Sequence, residues 1–83
     1  MKITLKLFAS LSDYLPPGGR DNRVDLEVAD QASISDILAP LNLPEQLVHL
    51  VLVNGTYVAP AARAGRLLSE GDQIGIWPPI AGG

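Results

Sequence analysis

The sequence predicts an α+β fold: a mixed β-sheet with one main helix packed across it and a short extra helix after the first strand. Period-two alternation of apolar and polar residues opens the chain, which is typical of a strand with one buried face. An apolar stripe at helical spacing follows Ser33, and further strand-like segments stand on both sides of it. The 83 residues are enough for one small domain. We expect that domain to span residues 1–77, with residues 78–83 as an extended tail.

The first strand and the extra helix are predicted from residues 2–15. Ile3, Leu5 and Leu7 alternate with polar neighbours, so one face of this strand is expected to be buried. Ser10 is the expected cap of a short helix that places Phe8, Leu11 and Leu15 on one face. A Pro-Pro-Gly-Gly sequence at 16–19 must end that helix.

The second strand and the main helix follow. Alternation over 23–28 predicts a strand antiparallel to the first. Ser33 is placed to cap the free N–H groups of the main helix, and Asp36 lies near the positive end of its dipole. The helical stripe runs over 34–41, but Pro40 lies within it, so the regular helix is expected to end or tighten just before that residue.

Three further strands are predicted in the second half of the chain. Residues 50–53 are apolar on both faces, Asn54-Gly55 is a strong hairpin signal, and 56–58 return as a short strand. Residues 59–68 read as a loop, and 73–77 as the last strand. The expected core is Ile3, Leu5, Leu7, Val24, Leu26, Val28, Ile34, Ile37, Leu38, Val51, Val53, Leu68, Ile74 and Ile76.

Composition excludes several kinds of function. There is no cysteine and only one histidine, His49, which argues against a thiolate nucleophile, a disulfide framework and a metal site. The net charge of −3 and the absence of a Lys/Arg run argue against a nucleic-acid partner. No apolar run approaches the ~18 residues of a membrane span. We therefore expect a cytoplasmic protein with no membrane partner.

A partner surface is predicted at the end of the last strand. If Ile76 faces the core, alternation places Trp77 on the outer face, and Leu52 is expected beside it on the neighbouring strand. An exposed Trp next to an exposed Leu is typical of a binding site, and replacing Trp77 is expected to change stability little. Pro78 and Pro79 fix the backbone in an extended form and form the base of the tail. The alternative is that the indole folds back onto its own sheet.

The sequence ends on Gly82-Gly83. Two glycines at this position would present a main-chain carboxylate with no side chain beside it, suited to a narrow slot in a partner enzyme. A frayed terminus is the alternative interpretation.

These segments resemble a known family, the MoaD/ThiS-type ubiquitin-like sulfur carriers, which have the β-grasp fold. The resemblance covers essentially the whole chain and is closest to the small subunit of molybdopterin synthase. Its most specific part is the segment Trp77–Gly83; weaker parts are 3–9, 53–55 and 68–72. The extra helix favours the molybdopterin branch over the thiamine carriers, whereas the last four residues suit both.

The resemblance implies a mechanism and a set of partners. An ATP-dependent, E1-like activating enzyme would adenylate the carboxylate of Gly83, and a sulfur donor would convert it to a thiocarboxylate. Ile80, Ala81 and Gly82 would thread the tail into the partner. The large subunit of molybdopterin synthase, or an equivalent sulfur acceptor, would then take the sulfur. The chain itself would be a co-substrate and not an enzyme, would bind no cofactor, and would leave ATP to the activating enzyme.

Three alternatives stay open at this point. The chain resembles sulfur carriers for thiamine thiazole or another pathway, and the same tail fits a protein modifier joined to lysines. A β-grasp interaction module with an inert tail belongs to a third class.

Overall fold

The computed structural model describes residues 1–79, in which five strands form one mixed sheet. The strands are β1 (Lys2–Leu7), β2 (Arg23–Glu27), β3 (Leu50–Val53), β4 (Thr56–Tyr57) and β5 (Gln73–Trp77). Their order across the sheet is β2-β1-β5-β3-β4. The central pair, β1 and β5, is parallel, and the other neighbours are antiparallel. The predicted mixed sheet, and the antiparallel pairing of the first two strands, are therefore confirmed.

The main helix, α1 (Ile34–Leu38), begins where the sequence predicts. The Ser33 hydroxyl accepts a hydrogen bond from the Asp36 N–H at 3.1 Å, and the Asp36 carboxylate accepts one from the Ser33 N–H at 3.0 Å. This reciprocal capping box satisfies donors that the first turn would otherwise leave unpaired. The helix tightens into a 3₁₀ turn at Ala39–Leu41, as expected from the proline within the stripe.

The short extra helix is present, but it starts differently from the prediction. It is a 3₁₀ helix over Ala9–Tyr14, its N-cap residue is Phe8, and no side chain caps it. Ser10 is therefore an interior residue of the turn and not its cap. Leu11 points into the core, whereas Phe8 still follows the alternation of β1 and lies on the outer face of the sheet.

The core lies between the inner face of the sheet and α1. Its buried apolar residues are Ile3, Leu5, Leu7, Leu11, Val24, Ala32, Ile34, Ile37, Val51, Val53, Val58, Leu68, Ile74 and Ile76. Three residues expected in the core, Leu26, Val28 and Leu38, are only half-buried. Leu26 lies on the edge strand β2 and Val28 just beyond its end, where no further strand of residues 1–79 covers them. Leu38 lines an open groove beside α1.

Replacing Ile37 by Ala is expected to lower the free energy of unfolding by about 2–3 kcal/mol, because it removes a buried side chain from the helix–sheet contact. Ile37 is 7% exposed and is packed in the core cluster. The measurement is a urea titration, with Gln46→Ala as the control because Gln46 is exposed. Equal midpoints for the two variants would contradict this assignment of the helix face.

Hydrogen bonds of the Asn54 and Asp72 side chains join the β3–β4 turn to the start of β5. Asn54 and Gly55 have φ angles of 52° and 86°, the left-handed pair that this two-residue hairpin turn requires. The Asn54 amide donates to the Asp72 carboxylate at 2.9 Å, and the Gln73 N–H donates to the Asn54 side-chain oxygen at 2.9 Å. The Ser69 N–H donates to Asp72 at 2.8 Å. These bonds fix the register in which β5 enters the sheet, and hence the position of Trp77 at its far end.

No helix within residues 1–79 has the length and apolar character needed to cross a membrane.

Candidate functional site

The outer face of the sheet, opposite α1, carries the residues predicted to meet a partner. Strand register aligns Tyr57 with Leu52, Leu52 with Gly75, and Gly75 with Lys6. Trp77 follows on β5 opposite Leu50. The face therefore combines an apolar centre on β3 and β5 with a lysine on β1, and we call it the outer platform.

Trp77 lies flat on this platform and does not project from it. Its ring stacks on Phe8 with centroids 4.3 Å apart and an interplanar angle of 5°. The indole also covers Gly75, where an added Cβ would come within 2.8 Å of two ring carbons. Trp77 is thus half-buried and not exposed as expected, because its ring lies on the bare backbone of Gly75 and on the Phe8 ring; the alternative, an indole folded back onto its own sheet, describes it better.

Leu52 is also half-buried, not exposed as expected, but it remains beside the indole. Together with Lys6, Gly75 and Trp77 it lines a shallow depression in the platform. The Lys6 ammonium donates to the Gln73 amide oxygen at 3.0 Å, which holds this cation at the rim of the depression.

Two members of the platform were missed by sequence reasoning. Phe8 was assigned to the short helix. It lies two residues after Lys6, however, so the alternation of β1, continued past the end of the strand, places Phe8 on the same outer face as Lys6. Tyr57, which is 53% exposed, pairs with Leu52 across the hairpin. The two-residue turn at Asn54-Gly55 fixes that pairing. The turn sequence was therefore sufficient to predict that Tyr57 lies beside Leu52 on the outer face.

The tail base begins directly after the platform. The Trp77 carbonyl accepts a hydrogen bond from the His49 N–H at 3.2 Å. Pro78 has no N–H to continue the ladder; it is half-buried, and Pro79 is exposed. The remaining predicted tail residues, Ile80, Ala81, Gly82 and Gly83, lie outside the described residues.

Replacing Gly75 by Ala is expected to lift the indole off the sheet, because the new methyl would overlap the Trp77 ring. Trp77 is the only tryptophan, so its fluorescence reports the change directly. We expect a red-shifted emission maximum and stronger quenching by acrylamide. Gly65→Ala is the matched control, since an added Cβ there meets no atom within 4 Å. Unchanged emission in Gly75→Ala would show that the indole does not rest on Gly75.

Solved structures with similar folds span the whole chain. SAMP1 of Haloferax volcanii, the small archaeal modifier protein 1, matches with a TM-score of 0.71 and 25% identity, covering 100% of both chains. The HVO 2177 protein of the same organism matches with a TM-score of 0.76 and 27% identity, covering 100% of this chain and 87% of the other. A chain in the complex of subunits 1 and 2 of molybdopterin-converting factor from Helicobacter pylori matches with a TM-score of 0.65 and 19% identity, with 100% of each chain covered.

These matches confirm the predicted β-grasp, ubiquitin-like fold; at 19% identity the Helicobacter pylori match speaks for the fold alone. None of the curated proteins matches this sequence. The sequence model described as Mut7-C ubiquitin matches residues 1–81, nearly the full length. The chain therefore belongs to the Mut7-C ubiquitin family of ubiquitin-like proteins.

Proposed function

We propose that this chain is a sulfur carrier that works through the carboxylate of Gly83. In the first step the carboxylate attacks the α-phosphate of ATP, held by an activating enzyme, and pyrophosphate leaves. A sulfur nucleophile at the oxidation level of sulfide then attacks the acyl carbon of the adenylate; the carbon–sulfur bond forms, the bond from the acyl carbon to the phosphate oxygen breaks, AMP leaves, and the product is the thiocarboxylate. ATP and any metal belong to the activating enzyme, so this chain is a co-substrate and not an enzyme. An ATP-dependent cycle of this kind suits the cytoplasm.

The observation that carries the proposal is the arrangement at the end of β5. A stacked Trp77–Phe8 pair lies on the outer platform, and the two prolines follow at once. Aromatic side chains held in this way supply contact area at low cost in side-chain entropy. The platform would hold the partner next to Pro78 and Pro79, where the tail that carries Gly83 begins.

The preferred destination of the sulfur is molybdopterin, delivered through the large subunit of the synthase. The sequence resemblance over Trp77–Gly83 supports it, as does the extra helix over Ala9–Tyr14. Thiamine thiazole, or another sulfur-requiring product, is the alternative destination, because the last four residues suit that branch equally.

A second candidate function is protein modification, in which a lysine amine of a target attacks the same adenylate and forms an isopeptide bond. The observation in its favour is the match to SAMP1, which is a modifier by name and is 25% identical over the full length of both chains. Both candidates use an activated carboxylate at Gly83 and differ only in the nucleophile that receives it. An interaction module with an inert tail would use the platform alone.

Intact-mass analysis separates these functions. The chain is co-expressed with its activating enzyme and purified without reducing agents that exchange sulfur. A mass gain equal to the exchange of one oxygen for sulfur, located at Gly83 by fragmentation, is expected for a carrier. Isopeptide adducts on lysines of other proteins, without that mass gain, would favour the modifier. An unchanged mass with no adducts would contradict both and leave the interaction module.

A further inference from the structure

A groove of about 590 Å³ lies on the helix side of the sheet, away from the outer platform. It runs between α1 with its following 3₁₀ turn on one side and the loop after β4 on the other. Its apolar wall includes Leu38, Leu43, Val48 and Pro60. Glu45 and Arg63 are the charged residues that line it. The groove has the size of a ligand site, and its volume alone does not say for what.

Arg63 gives the groove its chemical character. Its side chain is buried, with 8% of the residue exposed. Within residues 1–79 the guanidinium makes one hydrogen bond, from Nε to the Val58 carbonyl at 3.4 Å, and forms no ion pair with a carboxylate. Its Nη2 is buried and has no hydrogen-bond partner in this part of the chain.

A buried guanidinium with one hydrogen bond is costly unless a further hydrogen-bond acceptor pairs with it. Arginine stays protonated at any physiological pH, so it cannot escape the cost of burial by becoming neutral. Buried charges in folded proteins are normally paired and hydrogen-bonded. A carboxylate matches the planar fork of the guanidinium better than any other side-chain group. Arg63 is therefore a buried guanidinium that has no carboxylate partner within residues 1–79.

We propose that this groove binds a segment of a partner protein that carries one acidic side chain flanked by apolar side chains. The carboxylate would pair with Arg63, and the apolar side chains would pack against Leu38, Val48 and Pro60. Glu45 on the same groove argues against a polyanion such as a nucleotide, because a second negative charge would face a carboxylate. The apolar wall argues for a segment with side chains to bury over a small hydrophilic anion.

The position of the groove separates it from the activation chemistry. The outer platform faces one side of the sheet, whereas α1 and the groove lie on the other. A partner segment in the groove would leave the Trp77 ring and the rest of the outer platform uncovered. The groove is thus a second attachment point, which allows the chain to be held by one protein while another engages the platform.

The test is a titration of the ¹⁵N-labelled chain with two capped peptides, acetyl-Leu-Glu-Leu-amide and acetyl-Leu-Gln-Leu-amide. Amide shifts at Ser35, Leu38 and Val48 are expected to saturate with the Glu peptide, with a dissociation constant about fivefold lower than for the Gln peptide, because only the carboxylate makes a charge-assisted bond. Trp77 fluorescence is expected to stay unchanged. Equal affinity of the two peptides, no saturable shifts, or shifts centred on the outer platform would each overturn the proposal.

Two arginine variants test independently whether Arg63 causes the preference for the Glu peptide. Arg63→Met keeps an unbranched side chain of similar length and removes the donors, so it is expected to abolish the preference for the Glu peptide. The melting temperature is expected to fall only modestly, because the bond from Nε to the Val58 carbonyl is lost but no ion pair within residues 1–79 is. Arg66→Met is the matched control in the same loop, because Arg66 does not line the groove. Retention of the preference in Arg63→Met would overturn the proposal. If that variant fails to fold, the comparison of the two peptides on the unaltered chain decides.

Discussion

Deletion of Gly83 is expected to reduce adenylation and thiocarboxylate formation by about a hundredfold or more, because misplacing reacting atoms by even ~1 Å can cost that much. The deletion shortens the reach of the tail by ~3.5 Å and moves the carboxylate onto Gly82. The activating enzyme would then bind the platform as before, but the carboxylate of the shortened tail would not reach the α-phosphate of the bound ATP.

The fold is expected to be unaffected, because β5 ends at Trp77 and the buried core of residues 1–79 runs from Ile3 to Ile76. ATP–pyrophosphate exchange with the cognate activating enzyme measures the first step, and intact mass measures the second. A thermal melt of the same preparation shows whether the domain is intact. A variant in which Gly83 is replaced by Ala is the companion, since it keeps the reach and adds only a methyl group at the reacting residue.

Two outcomes have distinct meanings. If the shortened chain is adenylated and thiolated at the full rate, the chemistry does not depend on Gly83, and the proposal that the Gly83 carboxylate carries it fails. If the deletion is inactive but Gly83→Ala retains part of the activity, position of the carboxylate matters more than the absence of a side chain.

The elements built on a local signal were predictable from the sequence. The start of α1 follows from Ser33 and Asp36, whose side chains satisfy the backbone of the same turn, so no distant residue is needed to define it. The hairpin at Asn54-Gly55 has the same property, because the turn residues alone specify the register.

The site was less predictable, because it depends on contacts between segments far apart in sequence. Alternation correctly placed Trp77 on the side of the sheet opposite the core, but it carries no information on whether an indole projects or lies flat. That depends on Phe8, 69 positions earlier in the chain, and on parallel pairing of β1 with β5. Phe8 was misassigned because its strand signal overlaps the helical spacing of Leu11 and Leu15.

Arg63 shows a second limit. It lies in the stretch 59–68, which has no periodicity, and an arginine in such a loop is ordinarily expected in solvent. Its burial results from the return of this loop to α1, where the Ser35 N–H donates to the Arg63 carbonyl and the Leu68 N–H donates to the Ala32 carbonyl. Those are backbone hydrogen bonds, which do not depend on side-chain identity. They cannot therefore be predicted from the order of apolar and polar residues.

Replacing Trp77 by Ala is expected to weaken binding to the activating enzyme by about 2 kcal/mol or more, the range of an interface hot spot. The flat, stacked indole also changes the expectation for stability. Removing it uncovers Phe8 and Gly75, so the free energy of unfolding is expected to fall by about 1–2 kcal/mol, where the sequence alone predicted little change.

Trp77→Phe separates the two effects, because a phenyl ring keeps a stack on Phe8 but covers less of the platform. Calorimetric titration with the activating enzyme gives the binding loss, and chemical unfolding gives the stability loss. A docking role predicts that Trp77→Phe recovers most of the stability but only part of the affinity. If both variants bind normally once the folded fraction is taken into account, Trp77 stabilises the end of β5 and the partner docks elsewhere. Tyr57→Ala then tests the rest of the outer platform, because Tyr57 is exposed on the same face: a loss of affinity would place the docking site on the platform away from Trp77, and normal binding would place it off the platform.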